Sequence, residues 1–144
     1  MRDVLFRGKR LDNGKWIEGY YFKHHNRQPC AVGDMGRPED WDDLICISGF
    51  ADWNMPKPMC AVKVDPETLG EFTGLYDKNG ERIFEGDIIR HYYDYENPYL
   101  YETDIVVWDG SYCKFERKEA SLHSSCTYEI VGNIYDNSEE MKTD

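Results

Sequence analysis

FTGLYDKNGERIFEGD, residues 72–87, decides how the chain is built. Phe72, Leu75 and Tyr76 make one apolar arm. Ile83, Phe84, Ile88 and Ile89 make the other, with Asp77-Lys78-Asn79-Gly80 between them. Aspartate opens a turn by accepting hydrogen bonds from backbone amides two residues on, and Asn-Gly enters left-handed conformations at little cost. The segment is expected to form a β-hairpin. Its second arm runs into Glu85-Gly86-Asp87, where glycine allows a sharp bend or bulge free of a Cβ clash. The strand can then turn a corner before Ile88-Ile89 starts the next one. A hairpin followed by a glycine corner is how small β-barrels close.

Outward from this stretch, the N-terminus repeats the design. Phe6-Arg7-Gly8, Asn13-Gly14 and Ile17 have the same spacing as Phe72-Thr73-Gly74, Asn79-Gly80 and Ile83. The simpler reading is that two hairpins use similar turn chemistry; the sharper one is two related β-units with unequal decoration. Residues 1–25 read as strand, turn, strand. Gln28–Val32 and Leu44–Ile47 are short apolar segments around a polar loop, Gly33–Asp43, with a helical turn near Glu39–Asp43. Cys60–Val64 is a strand. Asp65-Pro66-Glu67-Thr68 caps a short helical turn, since proline suits the first helical position. Ile88–Tyr93 continues as strand. Asp94–Tyr99 is a loop, because Pro98 lacks the amide a central strand needs. Tyr101–Trp108 alternates as one strand, with Tyr101, Thr103, Ile105 and Val107 on one face. Asp109-Gly110 turns into a return strand, Tyr112–Glu116. Arg117–Ser125 is a loop or short helix, Tyr128–Ile134 is a closing strand with a glycine bulge, and Asn137 or Ser138 caps a final turn.

This pattern predicts a mainly β protein with little helix: an N-terminal irregular β-region over residues 1–64 and a C-terminal SH3-like small barrel over residues 65–144. The length of 144 residues suits one core or two small abutting modules. Aromatics at 15%, with 11 Tyr, favour strands over helical bundles. The mean hydropathy is −0.75. Together with the absence of any membrane-length apolar run or signal peptide, it leads to the expectation of a cytoplasmic protein without membrane contact. The net charge of −11 repels phosphate backbones, so nucleic acid is an unfavoured partner.

The spacing Val64-x-Pro66-Glu67-Thr68-x-Gly70-x-Phe72-Thr73-Gly74-Leu75-x-Asp77-x-Asn79-Gly80-x-x-Ile83-x-Glu85-Gly86-Asp87-Ile88 resembles the central signature of the YopX family of phage and prophage proteins. Tyr128-Glu129-Ile130-Val131-Gly132-Asn133-Ile134-Tyr135-Asp136-Asn137 is similar to its closing signature, and Met1-Arg2 with Phe6-Arg7 to its start. Residues 20–63 carry no family pattern. The resemblance implies an SH3-type barrel in the C-terminal part and a phage or prophage origin, in the cytoplasm of a bacterial host. It carries over no catalytic residue. The shared positions are turn glycines, turn Asn/Asp and core aliphatics, which is what a fold needs.

Constellations for chemistry are thin. Gly-x-Ser-x-Gly and the phosphate-loop patterns do not occur. His24, His25, Cys30, Cys46 and Cys60, or Cys113, His123 and Cys126, lack the paired spacing of a structural zinc site. Five cysteines without a secretory signal are expected to be reduced, buried thiols. Glu85 and Asp87 flank the glycine corner as turn formers. No cofactor, metal or catalytic residue is assigned, and the chain is expected not to be an enzyme.

The least ordinary stretch is His91–Tyr101, with Tyr92, Tyr93, Tyr95, Tyr99 and Tyr101. Tyrosine is a low-entropy anchor in binding surfaces. The competing reading is that alternate tyrosines pack on both faces of a hairpin. The expected function is a non-enzymatic protein–protein interaction module that forms a homo-oligomer or binds a host or phage protein. The alternative is a nucleic-acid-associated protein that stacks single strands on its aromatics, which a basic cluster at Arg82, Arg90 and His91 would favour.

Overall fold

The computed structural model describes residues 3–27, 32–33, 36–49, 53–93, 96–111, 114–117, 120–123 and 126–136. The chain is mainly β, as expected. Its strands are β1 (Phe6–Lys9), β2 (Trp16–His25), β3 (Trp41–Ser48), β4 (Met59–Lys63), β5 (Gly70–Tyr76), β6 (Arg82–Phe84), β7 (Asp87–Tyr92), β8 (Tyr101–Ile105), β9 (Val107–Asp109), β10 (Lys114–Arg117), β11 (Ala120–Ser121) and β12 (Thr127–Asn133). The helical content among the described residues is two single turns, Pro38–Asp40 and Pro66–Thr68. No helix among these residues is long and apolar enough to cross a membrane.

The chain divides into two compact units, Leu5–Leu69 and Gly70–Asp144, the latter with Met1–Val4. In the first, β1 to β4 form an antiparallel meander. The loop between β1 and β2 closes by hydrogen bonds between Arg10 and Lys15 (2.9 Å) and from the Gly14 amide to the Arg10 carbonyl (2.9 Å). Ile45 and Val64 are fully buried. The Tyr21 hydroxyl donates to Asp43 Oδ1 at 2.5 Å, and desolvation pushes its pKa up to about 12. The Pro66–Thr68 turn is capped as expected, with the Glu67 amide donating to Asp65 Oδ1 at 3.0 Å. It belongs to this unit because Lys9 N donates to Thr68 Oγ1 (2.9 Å) and Asp65 N to the Lys9 carbonyl (2.8 Å).

In the second unit, β5 and β6 are the expected hairpin. Asp77 is its organising residue. Its Oδ1 accepts the amides of Asn79 (2.8 Å) and Glu81 (2.9 Å), and its Oδ2 accepts the amide of Ile130 in β12 (3.2 Å). Gly80 and Gly86 have φ of +82° and +91°, the left-handed region that side chains resist. At the Gly86 corner, buried Asp87 accepts the Phe84 amide through Oδ2 at 2.8 Å, tying the bend across its own glycine. The core gathers Ile83, Ile89, Val106, Phe115 and Tyr128.

Several expectations are corrected. The three strand sets β5–β6, β12–β7–β8 and β11–β10–β9 are not closed into a hydrogen-bonded barrel. The expected single strand Tyr101–Trp108 breaks at Val106, which bonds Gly86 and Asp87 (2.9 and 3.0 Å); β9 then pairs with β10 instead of β7. The hairpin turn reaches β12 through Lys78 N to the Tyr128 carbonyl (2.8 Å) and Asp77, and not through a ladder. Within Arg117–Ser125, β11 folds back on β10 as a strand. The helical turn lies at Pro38–Asp40, where Asp40 Oδ2 accepts the Arg37 amide at 2.8 Å, and Trp41 already begins β3. Val32, at the end of the short apolar segment, is fully exposed in a turn; Gln28–Ala31 lie outside the described residues. Asn137, Ser138 and the acidic tail also lie outside them.

Candidate functional site

The tyrosine-rich stretch belongs to the sheet β12–β7–β8 and the turn after β7. Its register fixes which side chains share a face. His91 pairs with Tyr128 and Glu102, Arg90 with Glu129 and Thr103, and Tyr92 with Thr127 and Tyr101. Directly paired residues of antiparallel strands point the same way. One face therefore carries Ile89, His91, Glu102, Asp104, Tyr128 and Ile130, and the other Arg90, Tyr92, Tyr101, Thr103 and Glu129.

The first face is the core side. His91 is buried, with its ring 5.4 Å from Tyr128 and 4.9 Å from Tyr93. Burial lowers its pKa, Arg117 adds to that, and Glu102 and Asp104 oppose it, so the imidazole is held neutral at pH 7. Arg117 spans the two carboxylates, 3.1 Å from fully buried Asp104 and 3.2 Å from Glu102. The guanidinium bridges the two carboxylates, so the buried Asp104 charge faces a cation.

The second face is a ladder of rings and cations. The Arg90 guanidinium lies 4.8 Å from the Tyr101 ring, Lys78 Nζ lies 4.9 Å from the Tyr92 ring, and the two rings are 5.8 Å apart. The Tyr92 hydroxyl donates to Glu129, which Lys78 also pairs at 3.2 Å. That bond raises the Tyr92 pKa and, together with Lys78, lowers that of Glu129. Tyr93, on the other side of the strand, is 57% exposed, and its pKa rises through a hydrogen bond to Glu102.

The chain then turns back. Tyr93 N donates to the Leu100 carbonyl (3.3 Å), Leu100 N to the Asn97 carbonyl (3.2 Å), and Tyr99 N to Asn97 Oδ1 (3.2 Å). This turn holds Tyr99 at 88%, Leu100 at 53% and Tyr101 at 43% exposure. Tyr95 lies outside the described residues. The sequence-based site thus divides: the tilted rings of Tyr92 and Tyr101 pack together on one face, Tyr93 leans on His91 at the other, and Tyr99 projects from the turn.

Lys78 and Glu129, which hold the Tyr92 ring, have no such role in the sequence reading, and Arg90, read there only as part of a basic cluster, lies over the Tyr101 ring. The alternation of Arg90 with Tyr92 carried that signal. Arg82, Arg90 and His91 form no basic cluster. Arg90 and His91 are neighbours on a strand and face opposite ways, His91 is neutral, and Arg82 lies 5.9 Å over the Phe72 ring.

Of the residues considered for metal binding, Cys30 and Cys113 lie outside the described residues. Cys46 and Cys60 sit on opposite faces of β3 and β4, since Cys46 pairs with Ala61 and Cys60 with Ile47. Among the described residues no cluster of three or more His, Cys, Asp or Glu side chains could hold a metal ion. Cys46, Cys60 and Cys126 are free thiols, and Cys60 is exposed on β4, not buried as expected.

No curated protein matches the chain. A solved structure, that of protein EF1440 from Enterococcus faecalis, is similar with a TM-score of 0.50 and 20% identity, covering 98% of this chain and 99% of that one. At that identity the likeness speaks for the fold alone. The family model described as YopX protein matches residues 5–142, nearly the whole length, and the chain belongs to the YopX family.

Proposed function

We propose that the protein is a non-enzymatic, phage- or prophage-encoded protein–protein interaction module that acts in the cytoplasm of a bacterial host and self-associates or binds a host or phage protein. One observation carries the reading: Tyr99, Leu100 and Tyr101 stand exposed in succession, with Tyr93 beside them, on a turn braced by three hydrogen bonds. Exposed apolar side chains held in place lose little entropy on contact, which is what makes aromatic anchors effective. The net charge of −11 favours a basic protein partner over a phosphate backbone. The test is capture from host lysate, with and without nuclease, by the native chain and by Tyr93→Ala/Tyr99→Ala. A partner retained after nuclease, and lost by the double variant while its Tm is unchanged, supports the proposal. A nuclease-sensitive capture replaces it with single-strand binding through the same rings. Light scattering on the purified chain is expected to give a mass above the 17.0 kDa of one copy.

A further inference from the structure

We infer that the outer edge of β4 pairs with the same edge of a second copy of this chain, antiparallel about a two-fold axis at Cys60. This interface lies in the unit Leu5–Leu69 and is separate from the tyrosine surface proposed above, which lies in the other unit. β4 is the last strand of its sheet. Val64 N donates to the Asp43 carbonyl, and the Pro58 carbonyl accepts the Gly49 amide. Backbone direction alternates along a strand, so the even-numbered residues from Pro58 to Val64 turn their backbone groups to β3, and Met59, Ala61 and Lys63 turn theirs away. The Leu11 amide donates to the Lys63 carbonyl at 3.1 Å and closes that end of the edge. Among the described residues nothing bonds the outward groups of Met59 and Ala61.

The side chains on this edge form two halves of one fit. At the open end Met59 is 83% exposed, and the connection leading into it carries Trp53 and Met55, both exposed. Two residues further along stands Ala61, small and exposed, beside a groove that it lines with exposed Leu11 and with Lys63. One end of the edge thus protrudes and the other is recessed. A two-fold axis between them lays each on its counterpart, which is the self-complementarity of an isologous interface. The same chain supplies both halves, so a second copy is the occupant that matches them.

The register follows from the same groups. With the axis at Cys60, Met59 pairs with Ala61 of the second copy and Ala61 with Met59 of the second copy, through four backbone hydrogen bonds. Paired residues point the same way, so each Met59 side chain covers the small Ala61 of the other copy beside Leu11. An axis at Ala61 needs the Lys63 carbonyl that Leu11 holds. An axis at Met59 sets the two methionines against each other and leaves both grooves empty. β4 begins at Met59, so the second copy's chain leaves the ladder before Lys57 faces Lys63. At the axis Cys60 faces Cys60 in a non-hydrogen-bonded pair, with Cα atoms about 4.5 Å apart, inside the range of about 4.4–6.8 Å that a disulfide spans. Cys60 is a free, exposed thiol and so reports on this register.

The experiment traps the native full chain with oxidised glutathione. One Cys60 thiolate opens the glutathione disulfide and releases one glutathione. The second copy's Cys60 thiolate then attacks the protein sulfur of that mixed disulfide and releases the other, so two protein thiols are oxidised and one disulfide is reduced to two thiols. Peptide mapping is expected to find the link between the two Cys60 residues, formed at least tenfold faster than in Met59→Asp. Light scattering is expected to give two copies for the native chain, and a dimer dissociation constant at least tenfold higher for Met59→Asp, whose exposed position leaves the fold intact. Cys60→Ser is expected to keep the dimer and lose the link. Ala61→Pro removes only an outward amide and is expected to break the dimer; Met59→Asp decides the matter if that variant fails to fold.

A monomeric native chain overturns the proposal, and the tyrosine reading then stands or falls by its own lysate capture. A link at another cysteine, or a dimer that Met59→Asp leaves equally tight, overturns it too. A dimer weakened by Tyr93→Ala/Tyr99→Ala and not by Met59→Asp moves self-association to the tyrosines and overturns the β4 edge. A monomeric chain whose lysate capture is lost by Met59→Asp assigns the edge to a different protein and overturns the second copy.

Discussion

The two hairpins Phe6–Ile17 and Phe72–Ile83 share one spacing of phenylalanine, glycine, Asn-Gly and isoleucine, yet they close differently. The first closes between Arg10 and Lys15, leaving Leu11–Gly14 as the loop. The second closes between Asp77 and Glu81, with Asp77 N donating to the Glu81 carbonyl at 2.8 Å, leaving only Lys78–Gly80. The residue that decides is two positions before the asparagine. In the second hairpin it is Asp77, whose carboxylate gathers two turn amides and draws the loop tight. In the first it is Leu11, which is exposed and has no acceptor, so the loop opens by one residue on to Arg10.

The register follows from the loop. Gly8 pairs with Ile17 in a regular ladder, whereas the second hairpin slips between Phe72 and Tyr76, at Gly74 with φ +88°. A one-residue change in register exchanges the faces of a strand. Ile17 is half-buried and Ile83 fully buried. Matching motifs in one chain therefore show shared turn chemistry, and not matched hairpins.

The hardest way to break the second hairpin's corner is Gly86→Val. Its φ of +91° disfavours any side chain, and a Cβ would meet the Tyr135 ring at 3.1 Å. Strain and crowding together should cost about 4 kcal/mol, enough to lower the Tm sharply or leave unit 70–144 unfolded by circular dichroism. An unchanged melt would mean that the corner relaxes freely.

Next comes the residue that distinguishes the two turns. Asp77→Ala removes a buried acceptor of three amides and should cost about 3 kcal/mol in chemical denaturation. Asn13→Ala removes only the exposed bond from the Lys15 amide to Asn13 Oδ1 and should cost about 0.5 kcal/mol. Equal effects would erase the contrast.

Gly14→Val and Gly80→Val should be alike, about 1–2 kcal/mol each. Both positions have positive φ, +69° and +82°, and nothing within 4 Å of a Cβ. Divergent values would show that tertiary context reaches the turn tips.

The smallest expected effect is one of pH. The His91 pKa is depressed in the folded chain. The unfolded chain therefore takes up a proton first as pH falls through about 6.5, and His91's contribution to stability is lost below that value. Arg117, Glu102 and Asp104 face the same ring, and the two carboxylates blunt the loss. Melts between pH 7.5 and 5.5 should show a shallow decline that His91→Gln removes; a decline of equal slope in the variant would assign it elsewhere.

Local chemistry was legible along the chain. Asx and Asn-Gly turns, the Pro66 cap, the Gly86 corner and most strands act through neighbours a few residues away, and alternation marks their faces. The tyrosine stretch was legible as unusual composition, because five rings exceed what a small sheet can bury. The division of those rings among two faces and a turn was not legible. It depends on Tyr92 meeting Tyr101, on Lys78 arriving from the hairpin turn and on Glu129 arriving from β12.

Closure was likewise decided only in three dimensions. Val106 turns its backbone to the Gly86 corner, β9 leaves β7 for β10, and strands that read as one barrel wall become parts of separate sheets. Sequence alone set the turns, the strands and the acid surface, because these arise from each residue and its near neighbours. Which edge is covered and which stays bare was set by the tertiary structure. That outcome depends on Asp77 and Lys78 reaching the outward groups of β12, a contact across more than fifty residues of chain, while nothing among the described residues reaches those of β8.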